Sequence, residues 1–86
     1  MTKQDKLIAR ILRGQSDSNL KFDDIRKLLI QLGFIERIRG SHHVFVMPGS
    51  DILINLQRDG RLAKAYQVRQ VRETITSRGL LDKEDA

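Results

Sequence analysis

Residues 33–57 read GFIERIRGSHHVFVMPGSDILINLQ. Two turn-forming sequences, Gly40-Ser41 and Pro48-Gly49-Ser50-Asp51, divide this stretch into three short runs that are rich in apolar residues. These runs predict strands at about Phe34–Arg39, His42–Met47 and Ile52–Leu56. Because both connections have the length of hairpin turns, we expect a three-stranded antiparallel meander.

Helical patterns precede the meander. A first helix is predicted from about Lys3 to Arg13, with its apolar stripe formed by Leu7, Ile8, Ile11 and Leu12. Thr2 and Asp5 have the spacing of a capping box, and Gly14 should end the helix. After a polar, turn-rich loop at residues 14–19, a second helix is predicted from about Phe22 to Leu32, before Gly33.

A third helix is predicted after the meander. It should run from about Ala65 to Arg78, with an apolar face formed by Val68, Val71 and Ile75. Helices on one face of a small antiparallel sheet make an α+β, two-layer domain. We divide the chain into an N-terminal extension at residues 1–20, a core at residues 21–80 and an acidic tail at residues 81–86.

Strand periodicity predicts which face of the sheet is covered. Ile54 and Leu56 share one face of the third strand, and the bulk of Phe45 and Met47 marks one face of the second. If these faces pack under the helices, His42 points to the open face.

Composition excludes several classes of function. The chain has 86 residues, which suits one domain, and it has no cysteine, which excludes disulfides, thiol nucleophiles and Cys-based zinc sites. No apolar run is long enough to span a membrane, and charged residues stand where a signal peptide would become apolar. We therefore expect a cytoplasmic protein with no membrane partner.

The net charge of +5 is unevenly distributed. Residues 37–78 contain eight basic and three acidic side chains, whereas residues 79–86 contain one basic and three acidic. An arginine-rich excess suits phosphate recognition, and it also suits an acidic protein partner.

The only two histidines, His42 and His43, are adjacent. In a regular strand they point to opposite faces, so the pair cannot form one metal site, and no metal or other cofactor is expected. Two interpretations are open. Both could be structural residues satisfied by hydrogen bonds, or one of them could act as a general base on RNA bound to the open face.

Residues 28–45 resemble the HicA toxin family of bacterial toxin–antitoxin systems. The shared features are a helix that ends in Gly33-Phe34, a Gly40-Ser41-His42 turn that opens the second strand, and an aromatic residue, Phe45, three positions later. The resemblance extends over roughly residues 22–80. It implies a double-stranded-RNA-binding-like fold with an α-β-β-β-α core, to which residues 1–20 add a helix.

The resemblance also implies a function. Members of the family are ribosome-independent mRNA endonucleases that a HicB antitoxin holds inactive, and the family's catalytic histidine maps to His42. The expected partners are therefore mRNA and a HicB-like antitoxin. This chain has no further histidine after the third strand, so a second acid–base group would have to be another residue or be absent.

Several residues are candidate RNA contacts on account of their charge or their place in the motif. They are Arg37, Arg39, Ser41, His43, Arg58, Arg61, Lys64 and Arg69. A non-catalytic RNA-binding module of the same fold, or a domain whose open sheet face docks an acidic partner, would have the same features.

Overall fold

The structure, a computed structural model, describes residues 2–81. The elements run in the order α1 (Lys3–Arg13), a 3₁₀ turn (Asp17–Asn19), α2 (Phe22–Gln31), β1 (Ile35–Arg39), β2 (His42–Val46), β3 (Leu53–Gln57) and α3 (Ala65–Ser77). The predicted α+β class is confirmed. The predicted acidic tail falls mostly on residues 82–86, which lie outside the described residues.

The three strands form one antiparallel sheet in the order β1-β2-β3. Gly40 and Ser41 connect β1 to β2, and Arg39 pairs with His42 directly across the turn. Gly40 has φ 57° whereas Ser41 has a negative φ, the combination of a type II′ turn with glycine at its first central position. The Met47 N–H donates to the Ile52 carbonyl at 3.1 Å at the start of the β2–β3 connection. The third strand itself begins at Leu53, one residue later than predicted.

The two faces of the sheet differ in burial as the alternation predicts. Phe45, Ile54 and Leu56 are completely buried on the face that the helices cover. On the opposite face His42 and Leu53 are exposed, so the predicted orientation of His42 is confirmed.

The first helix begins and ends as predicted. Thr2 and Asp5 form the capping box, with the Asp5 N–H donating to the Thr2 hydroxyl at 3.0 Å, and Gly14 ends the helix with φ 72°. Its Leu7 and Ile11 are buried in the same hydrophobic cluster as the other helices and the sheet. Residues 2–20 therefore contribute to the core, although Leu12, predicted in the apolar stripe, is 45% exposed.

The predicted apolar face of α3 is also confirmed, and α2 buries one face as well. Leu28 and Leu29 are buried on α2, and Val68, Val71 and Ile75 are buried on α3. The chain turns after Ser77, and Leu80 packs against the core as a partly buried side chain.

Substitutions at two neighbouring residues of β3, Ile54 and Leu53, test which face of the sheet is buried. Ile54→Ala should lower the free energy of unfolding by about 2–5 kcal/mol because it opens a cavity in the core. Leu53→Ala should cost about 1 kcal/mol or less, since its side chain is 57% exposed and the substitution removes only a surface contact and some strand propensity. Urea unfolding of both variants measures the difference. Equal costs would contradict the assignment.

Candidate nucleic-acid interface

The open face of the sheet has a basic and polar end next to the Gly40-Ser41 turn. Across that end, Arg39 pairs with His42, and His42 pairs with Gln57. Residues paired in this way have Cβ atoms about 4.5–5.5 Å apart on the same face. His42 is therefore an exposed imidazole between a guanidinium group and a side-chain amide.

The next row of side chains on the open face is also basic and polar at both edges. Arg37 on β1 pairs with Val44 on β2, which pairs with Asn55 on β3. Arg37 and Asn55 are both exposed. Arg37 and Arg39 thus lie on the same face as His42, and they give this end of the sheet a positive surface.

His43 points the other way, into the helix layer. Its side chain is 5% exposed, its ring contacts Phe22 edge-on with centroids 5.0 Å apart, and its Nδ1 lies 2.7 Å from Glu36 Oε2. The Arg26 guanidinium and, to a lesser degree, His43 hold the pKa of the Glu36 carboxyl below its ordinary value. Since an ionised carboxylate only accepts hydrogen bonds, His43 Nδ1 carries the proton that it donates. This placement favours a structural role for His43 over RNA contact.

Glu36 belongs to a chain of ion pairs that the sequence pattern did not reveal. Arg26 Nε and Nη2 donate to the two Glu36 oxygens at 2.6 and 2.8 Å, and Arg26 Nη1 donates to Asp23 Oδ1 at 3.0 Å. Asp23 also accepts a hydrogen bond from Arg58. This series of ion pairs joins α2, β1, β2 and the segment after β3. Only one of these contacts has a signal in the sequence: strand alternation places Glu36 and His43 on the same face of the paired strands.

Arg58 is a candidate RNA contact whose charge is already partly engaged. Its guanidinium carbon lies 4.7 Å from the centre of the Phe22 ring, and together with Arg26 it lowers the pKa of Asp23. Its backbone N–H donates to the Ser41 carbonyl at 2.8 Å. Arg58 therefore connects the end of β3 to the turn that precedes His42.

The other candidates after β3 are exposed, and they do not lie on the sheet. Lys64 pairs with Asp59 at 2.8 Å, which raises the pKa of Lys64 and lowers that of Asp59. Arg61 has an exposed side chain, and its carbonyl accepts from the Phe22 N–H at 2.9 Å. Arg69 is exposed on α3. The structure thus brings Arg37 and Arg39, but not Arg69, onto the face of His42.

The far end of the open face is apolar, a feature that sequence reasoning did not single out. Ile35, Val46 and Leu53 form one cross-strand row. Ile35 is 53% exposed and Leu53 is 57% exposed. Adjacent exposed aliphatic side chains of this kind mark a surface suited to contact with another molecule.

Residues 2–81 lack both a metal-binding cluster and a membrane-spanning helix. Within that range, no group of three or more histidine, aspartate or glutamate side chains is placed to hold a metal ion. In the same range, no helix combines the length and the apolarity that crossing a bilayer requires.

Comparisons of the chain with protein-family models, with curated proteins and with solved structures give no match.

Glu36→Gln tests the chain of ion pairs. Glutamine keeps one acceptor oxygen but lacks the negative charge and the second acceptor that Arg26 and His43 use, so the variant should lose about 1–3 kcal/mol of unfolding free energy at neutral pH. A carboxyl with a lowered folded-state pKa stabilises the fold fully above its ordinary pKa of 4.5, and this stabilisation disappears as the pH falls. The difference between wild type and variant should therefore shrink on acidification.

Urea unfolding at several pH values between about 7 and 3 measures this difference. Glu73→Gln is the matched control, because Glu73 is exposed and makes no ion pair within the described part of the chain. It should change stability by about 0.5 kcal/mol or less. A loss in Glu36→Gln that stays constant down to low pH would contradict an electrostatic role for Glu36.

Proposed function

We propose that this protein is a metal-independent endoribonuclease of the HicA type, the toxin of a toxin–antitoxin pair, with His42 as its general base. The observation that carries the proposal is the position of His42. It is exposed at the basic end of the open sheet face, with Arg39 on one side and Gln57 on the other.

The reaction is cleavage of an RNA phosphodiester by the neighbouring 2′-hydroxyl. His42 takes the proton from this hydroxyl, and the 2′-oxygen then attacks the phosphorus atom. The bond to the 5′-oxygen breaks and that oxygen takes a proton from water, while the proton on His42 neutralises the hydroxide that remains. The products end in a 2′,3′-cyclic phosphate and a 5′-hydroxyl. Arg39 and Arg37 offset the charge that develops on the phosphate oxygens. An open face suits an extended polymer such as mRNA, which needs no deep pocket.

The finer fold assignment, a double-stranded-RNA-binding-like domain, is part of this proposal. It is supported by the α-β-β-β-α order of α2, the three strands and α3, with the helices on one face of the sheet. The short resemblance around Gly40-Ser41-His42 supports the same assignment.

A HicB-like antitoxin is the proposed protein partner. Ile35 and Leu53 offer apolar contacts at one end of the open face, and Arg37 and Arg39 offer pairing with acidic groups at the other. A partner that covers both ends would hide His42 and stop cleavage.

A non-catalytic RNA-binding module is the second candidate. The observation that favours it is that the carboxylate partner belongs to His43, while His42 has no side-chain hydrogen bond among residues 2–81. Such a module would bind RNA through phosphates and 2′-hydroxyls without breaking a bond.

His42→Ala is the test of the catalytic proposal. The variant should cleave RNA about 10²–10⁴-fold more slowly than wild type, and its induction should no longer arrest growth, because the general base is lost. The measurements are decay of labelled RNA with the purified protein and growth after induction. Gln31→Ala, which truncates an exposed side chain on the helix layer, is the control and should cleave normally.

The outcomes separate the candidates. If His42→Ala is as toxic as wild type, the role of His42 is wrong. If wild-type protein shifts labelled RNA in a gel but leaves it intact for hours, the non-catalytic module is the correct interpretation.

The two arginines of β1 are tested by salt dependence. Arg37→Ala and Arg39→Ala should each weaken RNA binding and lower the slope of log affinity against log salt by about 0.7, because each removes one phosphate contact. Lys27→Ala, an exposed lysine on α2, should leave the slope unchanged. Equal effects of all three substitutions would mean that the open face is not where RNA binds.

A further inference from the structure

A cleft lies beside His42, between the end of β3 and the start of α3. It has a volume of about 330 Å³ and is lined by Gln57, Arg58, Asp59, Lys64 and Tyr66. Gln57 is the strand partner of His42, so one wall of the cleft adjoins the proposed catalytic residue. The volume falls at the lower end of the range for small-molecule pockets.

The walls of the cleft are held by one buried amide. Gln67 on α3 is 2% exposed, and its Nε2 donates to the Gln57 carbonyl at 2.8 Å. Its Oε1 accepts from the Lys64 backbone N–H at 3.1 Å. A single buried side chain thus joins the two ends of the loop, which gives the cleft a defined shape before any ligand binds.

Tyr66 is the unusual residue in this cleft. The chain has four aromatic residues, three phenylalanines and one tyrosine. Phe22, Phe34 and Phe45 are all buried in the core, whereas Tyr66 is 54% exposed. An exposed aromatic ring beside cationic groups is the arrangement on which unpaired nucleobases stack.

The polar groups of the cleft suit the rest of a nucleotide. Arg58 and Lys64 outnumber Asp59 among the lining side chains, and the carboxylate that pairs with Arg58, Asp23, is shared with Arg26. The Lys64–Asp59 pair is on the surface, where ion pairs are weak enough for a phosphate to compete with the carboxylate. The amide of Gln57 can both donate to and accept from the edge of a base.

We propose that this cleft binds one unpaired nucleotide of single-stranded RNA, next to the phosphate on which His42 acts. The base stacks on Tyr66, and its phosphate contacts Arg58 and Lys64. The choice of RNA as the ligand rests on the proposed function. The cleft adds that the substrate is single-stranded at this position, because a base inside a duplex cannot present its face to Tyr66.

The fluorescence of Tyr66 reports directly on the site, because the chain has one tyrosine and no tryptophan. The probe is a single-stranded RNA decamer with 2′-O-methyl groups, which cannot be cleaved because its 2′-oxygens carry no proton. Binding of the decamer should quench the tyrosine emission, and the same decamer in a duplex should not quench it.

Affinity for the decamer, measured by anisotropy of a labelled strand, tests the contribution of the ring. Tyr66→Ala should weaken binding by roughly 5- to 150-fold, the loss that corresponds to one base–aromatic stack. Tyr66→Phe keeps the stacking ring and should bind nearly as well as wild type. Leu12→Ala is the matched control, because it removes an exposed apolar side chain from α1, and it should bind like wild type.

Four outcomes would overturn the proposal: no binding of the decamer by wild type, unchanged binding by Tyr66→Ala, equal quenching by the duplex, or equally tight binding of a free nucleoside monophosphate. If the wild type cleaves RNA and Tyr66→Ala binds the decamer as tightly as wild type, the nucleotide site is contradicted and the proposed nuclease activity is not. If binding depends on Tyr66 but RNA is not cleaved, the nucleotide site is supported and the proposed nuclease activity is wrong.

Discussion

The burial of Phe45, Ile54 and Leu56 under the helices is the constraint on which the rest of this structure depends. These side chains fill one face of the sheet, and each contributes about 1.5–3 kcal/mol by leaving water. A shift of one residue in the strand register would expose them and bury the open face instead. The same packing therefore decides that His42 points to solvent and His43 to the helices.

The two adjacent histidines consequently have different surroundings. His43 is enclosed by Phe22 and Glu36, and its carboxylate partner is itself held by the two-point contact of Arg26. His42 keeps an accessible imidazole among polar and basic neighbours. An imidazole has to be accessible to exchange protons with a bound molecule. For this reason the proposed chemistry is assigned to His42, which is exposed.

The segment after β3 connects the sheet to the last helix and shapes the surface next to His42. Arg58 spans from Asp23 and Phe22 on α2 to the Ser41 carbonyl in the turn. Gln67 joins the two ends of the same segment from inside the domain. These anchors hold the segment against the start of α3, so that Tyr66, the one phenylalanine or tyrosine ring outside the core, is presented at a defined place.

The sequence alone determined the number, order and type of the helices and strands, because those depend on local periodicity, turn residues and caps such as Thr2 and Gly14. It also determined that His42 and His43 face opposite ways, since strand side chains alternate. Only the tertiary structure decided which long-range partners meet. Three features join residues from different elements. They are the ion pair of Glu36 with Arg26, the cation–π contact of Arg58 with Phe22, and the cleft at Tyr66. Such contacts depend on how the helices cross the sheet, and that packing has no periodic signal along the chain.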